Sequence, residues 1–199
     1  MQAQHGAQHF HRSFEDAEKW SKVFDDPARD AWQKPDEVIR ALRLSPDSVV
    51  ADIGSGTGYF AIRLARALPR GRVHGADVSA DMVRFLNERA AREGLGNVSS
   101  HRAGDSDPQL PVPVDLLLVV DTYHHIPRRS AYFEGLKAKL KPGGRLAVID
   151  FRADSPIGPP GRHRIAPERV IAEMDKAGYA LAEQHGFLPY QYFLVFAPR

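Results

Sequence analysis

The sequence predicts an α/β fold: a mostly parallel sheet with helices on both faces and an antiparallel hairpin at one end. Three observations carry that prediction. Between residues 49 and 151, short apolar runs alternate with stretches whose apolar residues recur at helical spacing, the order a parallel sheet requires. The run VDLLLVV at 114–120 is apolar almost throughout, as a strand covered on both faces must be. YALAEQH at 179–185 and YQYFLVFA at 190–197 follow each other closely enough to pair as a hairpin.

The elements follow in order. Residues 13–44 read as helical stretches broken at Pro27 and Pro35, with Trp20, Phe24 and Trp32 as aromatic anchors. The first strand is VVADI (49–53), and after the glycines Phe60, Leu64 and Leu68 with Ala61 and Ala65 mark a helix face. RVHGADV (72–78) is the second strand. Ser79 then caps a helix whose Met82, Val83, Leu86 and Ala90 face inward, ended by Gly94 and Gly96. VSSHRAG (98–104) and VDLLLVV (114–120), the third and fourth strands, flank the proline-rich DPQLPVP. Tyr132, Phe133, Leu136 and Leu140 form a further helical stripe, closed by Lys137, Lys139 and Lys141 and stopped by PGG. RLAVIDF (145–151) is the fifth strand, and RADSPIGPPGRHRIA is a loop able to act as a lid. Pro167 opens a helix with Val170, Ile171 and Met174 inward and Gly178 at its C-terminal end.

Composition narrows the function. A chain of 199 residues, 43% hydrophobic and 26% charged, suits one globular domain. Its cleanest apolar run, LLLVV at 116–120, is far below the ~20 residues of a membrane span. The N-terminus MQAQHGAQHFHRSF has no apolar signal core, so a cytoplasmic protein is expected. With no cysteine, thiolate metal sites, disulfides and cysteine nucleophiles are excluded. The net charge of +2 is scattered, which argues against a nucleic-acid partner and for an ordinary solvated surface.

The chemistry concentrates in VVADIGSGTGYF, where Gly54, Gly56 and Gly58 lie between a strand and a helix. Such a turn lets a ligand approach bare backbone at a helix N-terminus; a tight strand-to-helix turn without ligand is the alternative. A dinucleotide fingerprint would place its third glycine at position 59, where Tyr59 stands, so an NAD-dependent oxidoreductase is the weaker reading. No Gly-Lys-Ser/Thr follows, which excludes a phosphate loop. Asp77 ends the second strand, where a carboxylate accepts ribose hydroxyls. Asp105 and Asp121 are expected to end the third and fourth strands, so successive strands bring polar groups to the carboxyl edge where open α/β sheets bind ligands.

VADIGSGTG (50–58), GADVS (75–79), AGD (103–105), DTYHHI (121–126) and LKPGGRLAVIDF (140–151) together resemble a class I S-adenosylmethionine-dependent methyltransferase, of the small-molecule type related to quinone-biosynthesis methyltransferases. The resemblance covers residues 49–151; the N-terminal 45 residues and the loop 152–166 carry no family-wide motif. It implies a Rossmann-like seven-stranded sheet whose last strand is antiparallel, with S-adenosylmethionine as methyl donor and S-adenosylhomocysteine as product. Residues 1–45 would then form an N-terminal helical segment or lid and 46–199 the S-adenosylmethionine-binding methyltransferase domain, within a single domain overall. By position it implies Asp52 near the amino group, Gly54, Gly56 and Gly58 against methionine and ribose, Asp77 on the ribose hydroxyls and Asp105 on the adenine amino group. Met82 either packs on the adenine or is a core methionine. Ser55, Tyr59, Val78, Gly104 and Asp121 complete the expected cofactor set. A cofactor-binding regulatory protein without catalysis is the rival from another class.

Methyl transfer from a sulfonium is an in-line displacement, so the protein chiefly holds nucleophile and methyl aligned. A base is needed only where the nucleophile must lose a proton. DTYHHI follows the fourth strand, where the methyl should emerge, making Tyr123 or His124 candidates to orient or deprotonate an acceptor; local packing or capping is the competing role. Adjacent residues of an extended segment point to opposite sides, so His124 and His125 are not expected to chelate one metal, and no metal site is assigned.

Overall fold

Strands form where β-branched and other apolar residues run together between turn residues: β1 (Val49–Ile53), β2 (Arg72–Asp77), β3 (Val98–Arg102), β4 (Val114–Val120), β5 (Leu140–Phe151), β6 (Tyr179–His185) and β7 (Gln191–Pro198). In the computed structural model, which describes residues 16–199, they make one sheet in the order β3-β2-β1-β4-β5-β7-β6. β3 through β5 in that order are parallel, and β7 runs antiparallel between β5 and β6. The seven-stranded, mostly parallel sheet with a terminal hairpin is therefore the fold.

Helices α3 (Pro35–Ala41), α4 (Tyr59–Ala67) and α5 (Ala80–Arg92) cover one face; α6 (Arg129–Leu136) and α7 (Pro167–Lys176) cover the other. The pleat decides which strand residue serves which core. Leu116 and Leu118 join Leu64 and Ile149 on the first face, whereas Leu117 and Val119 meet Phe133, Val170 and Met174 on the second. All four β4 side chains are fully buried, each burial stabilising the fold by about 1.5–3 kcal/mol. Strand order reverses direction at β1, between β2 and β4, which opens a ligand crevice at the carboxyl ends.

The N-terminal segment builds from its prolines and caps. Asp16 accepts from the Lys19 amide to cap α1 (Ala17–Phe24). Pro27 starts a 3-10 turn that leads into α2 (Asp30–Gln33), and Pro35 opens α3, where its missing N–H is not needed. Ala17 packs with Met82 and Phe85, with Trp20 and Phe24 alongside, laying α1 across the start of α5. Residues 1–15 of the expected 1–45 segment, and residues 13–15 of its helical reading, lie outside the described residues.

Three sequence expectations are corrected. β3 stops at Arg102, leaving Gly104 and Asp105 in the following loop, because Asp107 folds the chain back: its carbonyl takes the Gly104 amide at 2.9 Å and its carboxylate the Gln109 amide at 2.7 Å. Leu140 is not helical. α6 ends at Leu136, a 3-10 turn spans Lys137–Lys139, and Leu140 already pairs with Val114, so β5 runs through PGG instead of beginning after it. On α5, Phe85 shares the buried face with Met82 and Leu86, while Val83 is only half-buried.

The loop after β5 is ordered by one side chain. Arg164 donates to the carbonyls of Ala153 at 3.0 Å, Ile157 at 3.1 Å and Pro159 at 2.8 Å, and also to Ser155, tying together a segment whose prolines offer few amides of their own.

Candidate functional site

The glycine turn is fastened to β2. Gly54 and Ser55 both donate to the Ala76 carbonyl, at 2.8 and 3.4 Å, and the Gly56 amide donates to Asp77 Oδ2 at 2.9 Å. Asp77 Oδ1 accepts from the Ser79 amide at 2.9 Å, which sets the start of α5. Gly54 has φ +72°, and a Cβ there would stand 2.4 Å from Thr122 at the end of β4. At Gly58, with φ +93°, it would stand 2.3 Å from Leu86. The turn thus needs glycine for its own packing as well as for any ligand. Ser55 Oγ and Thr57 Oγ1 are buried there without a hydrogen-bond partner among the described residues.

Three carboxylates meet this turn. Asp52 is 4% exposed; burial pushes its pKa up to about 7, the nearby Asp77 adds to the rise, and Arg29 opposes it. Burial also raises Asp77, with the Ser79 and Gly56 amides pulling the other way. Asp121, at φ +54° just past β4, is raised to about 7 by burial, partly offset by Arg29. Val78, 52% exposed, lies open beside Asp77. Asp105 is exposed on its loop, and Met82, 1% exposed, sits in the small α1–α5 cluster as a core methionine does.

A polar ring roofs the edge that the glycines floor. Arg29 donates to Asp121 Oδ2 at 2.9 Å and to Gln33 Oε1 at 3.0 and 3.2 Å; Gln33 donates to Gln191 Oε1 at 2.6 Å; Gln191 donates to Asp121 Oδ1. Gln33 and Gln191 are 0% and 1% exposed, so each must have partners. The Arg29 guanidinium also lies 4.0 Å from the Tyr59 ring centroid. Sequence reasoning missed Arg29, Gln33 and Gln191, none of which lies in a motif.

The histidine segment is a 3-10 turn, Tyr123–His125, not an extended stretch. The two imidazoles therefore lie side by side, their centroids 4.1 Å apart, and the opposite-sides expectation is corrected. His124 Nδ1 meets both oxygens of Asp150, at 2.9 and 3.0 Å, and its amide donates to Asp150 Oδ2 at 3.2 Å. Facing a carboxylate, Nδ1 carries the proton, and in the neutral ring Nε2 is the nitrogen with a free lone pair. Burial works against the charged imidazole, but the bonds to Asp150 and the charges of Asp150 and Asp121 outweigh it, so the His124 pKa is raised.

Tyr123 is engaged in packing. It is fully buried, stacks on Phe133 with centroids 5.5 Å apart, and donates its hydroxyl to Glu173 Oε2 at 2.7 Å; burial pushes its phenol well up. Such a group packs the α6–α7 side, its hydroxyl proton held by Glu173. Asp150 is the site acid that the sequence displayed without its being singled out, since it stands one residue before the end of the RLAVIDF strand, much as Asp77 ends β2.

Comparison with known proteins places the chain. The family profile described as "Methyltransferase domain" matches residues 51–146. The chain is 34% identical over 136 residues to trans-aconitate 2-methyltransferase of Rhodopseudomonas palustris (strain BisB18), covering 67% of this chain and 48% of that protein. To the ubiquinone/menaquinone biosynthesis C-methyltransferase of Syntrophotalea carbinolica it is 29% identical, covering 57% of this chain and 48% of that protein. The chain spans about half the length of the curated relatives it matches. A crystal structure of a SAM dependent methyltransferase from Aquifex aeolicus superposes with a TM-score of 0.83 at 26% identity, covering 91% of this chain and 97% of that one.

Proposed function

The chain belongs to the class I S-adenosylmethionine-dependent methyltransferases, and from that premise we propose that it transfers a methyl group from S-adenosylmethionine to a small-molecule acceptor. The observation that carries the reading is the Gly56 amide bonded to Asp77, which joins the glycine turn to the acid of β2 at the carboxyl edge of the sheet. The donor set fits the cofactor. Asp77 suits the ribose hydroxyls, Asp52 the amino group, and the orphaned Ser55 and Thr57 hydroxyls offer further bonds where the turn narrows. Exposed Val78 offers an apolar surface for the adenine, and Asp105, exposed on its loop, would suit the exocyclic amine. S-adenosylmethionine supplies an electrophilic methyl on sulfur.

His124 acts as the general base, oriented through Nδ1 by Asp150, with Nε2 left for an acceptor proton. Asp121, held by Arg29, belongs with the cofactor-binding acids. The relatives named for trans-aconitate and for quinone biosynthesis support an acceptor of small size. A cytoplasmic location is part of the same proposal. Among the described residues no helix is long and apolar enough to cross a membrane.

Calorimetric titration with S-adenosylhomocysteine tests the proposal. Binding is expected, and Asp77→Ala should weaken it by roughly 10- to 100-fold, the worth of charge-assisted bonds. An intact protein that binds neither donor nor product sinks the reading.

A further inference from the structure

S-adenosylmethionine presents a sulfonium and an ammonium, and it also carries a carboxylate. The acids around the glycine turn, Asp52, Asp77 and Asp121, suit the cations and hydroxyls and would repel that carboxylate. The family motifs of residues 49–151 supply no positive side chain at this point of the crevice. The N-terminal segment does: Arg29 reaches Asp121, its charge acts on Asp52 as well, and its guanidinium carbon lies 4.0 Å from the ring centroid of Tyr59, the first residue of α4.

We propose that Arg29 binds the carboxylate of the cofactor's methionine moiety, making the N-terminal segment part of the cofactor site rather than only a cover. This rests on the methyl-donor reading above and extends it to a residue outside the motifs. Arg29 is preorganised for the task. Its Nη1 donates to the Phe24 carbonyl at 2.9 Å, its Nε and Nη2 to Gln33, and its Nη2 to Asp121, so the plane of the guanidinium is fixed and one Nη1 hydrogen remains for a ligand oxygen. Phe24, whose carbonyl holds that nitrogen, lies over Gly56, 3.6 Å from where a Cβ there would stand. The guanidinium side chain is only 12% exposed, and a planar fork shielded in this way recognises carboxylates better than a solvated lysine. Arg89 also reaches the turn, at the Thr57 carbonyl, but its ion pairs are with Asp25 and Glu93, whereas Arg29 is the one bonded to Asp121.

The test compares S-adenosylhomocysteine with its decarboxylated analogue, S-adenosyl-3-thiopropylamine, which keeps the ammonium. Both are titrated calorimetrically into the full chain and into Arg29→Gln, with thermal unfolding followed in parallel. The wild type should prefer S-adenosylhomocysteine by roughly 10- to 100-fold, as expected for a charge-assisted pair. Arg29→Gln should lose that preference while holding the decarboxylated analogue within about threefold of wild type; Arg29→Lys should keep part of it. A wild type that binds both ligands equally overturns the proposal. So does an Arg29→Gln that weakens both alike, or one that binds S-adenosylhomocysteine more tightly, which would make Arg29 a competitor for Asp121. If Arg29→Gln fails to fold, the wild-type preference and its reduction in Arg29→Lys decide. A wild type that binds neither ligand refutes the methyl-donor reading itself.

Discussion

Replacing Gly54 by alanine separates the two reasons a glycine can occupy the head of this turn. At φ +72° an L-residue costs roughly 1–2 kcal/mol in backbone strain. The added Cβ would also stand 2.4 Å from Thr122 Cγ2 and Oγ1, and that hydroxyl is held by the Val120 carbonyl at 2.9 Å, so it cannot rotate away freely. Overpacking of this kind costs roughly 1–3 kcal/mol. The sum, about 2–5 kcal/mol, is a large part of the ~5–15 kcal/mol stability of a domain and should lower the melting temperature by roughly 4–20 °C. Urea unfolding followed by circular dichroism, without ligand, measures it. Adding Thr122→Ala, which removes both atoms at the closest approach, should recover about 1–2 kcal/mol in a double-mutant cycle. A Gly54→Ala chain within about 0.5 kcal/mol of wild type that nevertheless fails to bind S-adenosylhomocysteine would refute the packing argument and leave the glycine to the ligand alone.

Asp52→Asn should stabilise the ligand-free protein at pH 8 and change little near pH 4. A carboxyl raised from 3.8 to about 7 retains full stability below its unfolded pKa and loses it as pH rises through the folded one, here by roughly 2–4 kcal/mol, read from melting temperature against pH. Glu173, lowered to about 2 because its bonds to Arg129, Tyr123 and Arg169 outweigh its burial, has the opposite sign. Glu173→Gln should cost ~2 kcal/mol at pH 7, less than the 3–5 kcal/mol of a fully buried pair, and the gap should close as pH falls from about 4.5 toward 2. The His124 imidazole should titrate above 6.5 by NMR and drop on Asp150→Asn; with an acceptor in hand, a His124→Ala enzyme retaining full turnover would remove it as base.

What the chain determined by itself is its local order. Alternating residues in β4 assign alternate cores, Ser79 caps α5, Pro35 opens α3, and the glycines at 54 and 58 take the positive φ that turns β1 into α4; each of these depends on a residue and its near neighbours. The carboxyl-edge placement of Asp52, Asp77 and Asp121 followed from strand order alone. Other features depended on partners far along the chain. Leu140 left the helical stripe because Val114 was there to pair with it. Tyr123 turned inward because Glu173, 50 residues on, accepts its hydroxyl, and His124 found Asp150 at a separation of 26. Arg29 joined the site across 92 residues and Gln33 across 158. No periodicity encodes such pairs. The ring they close is stable because its members bond to one another, a condition that exists when the N-terminal segment, β4 and β7 have already come together.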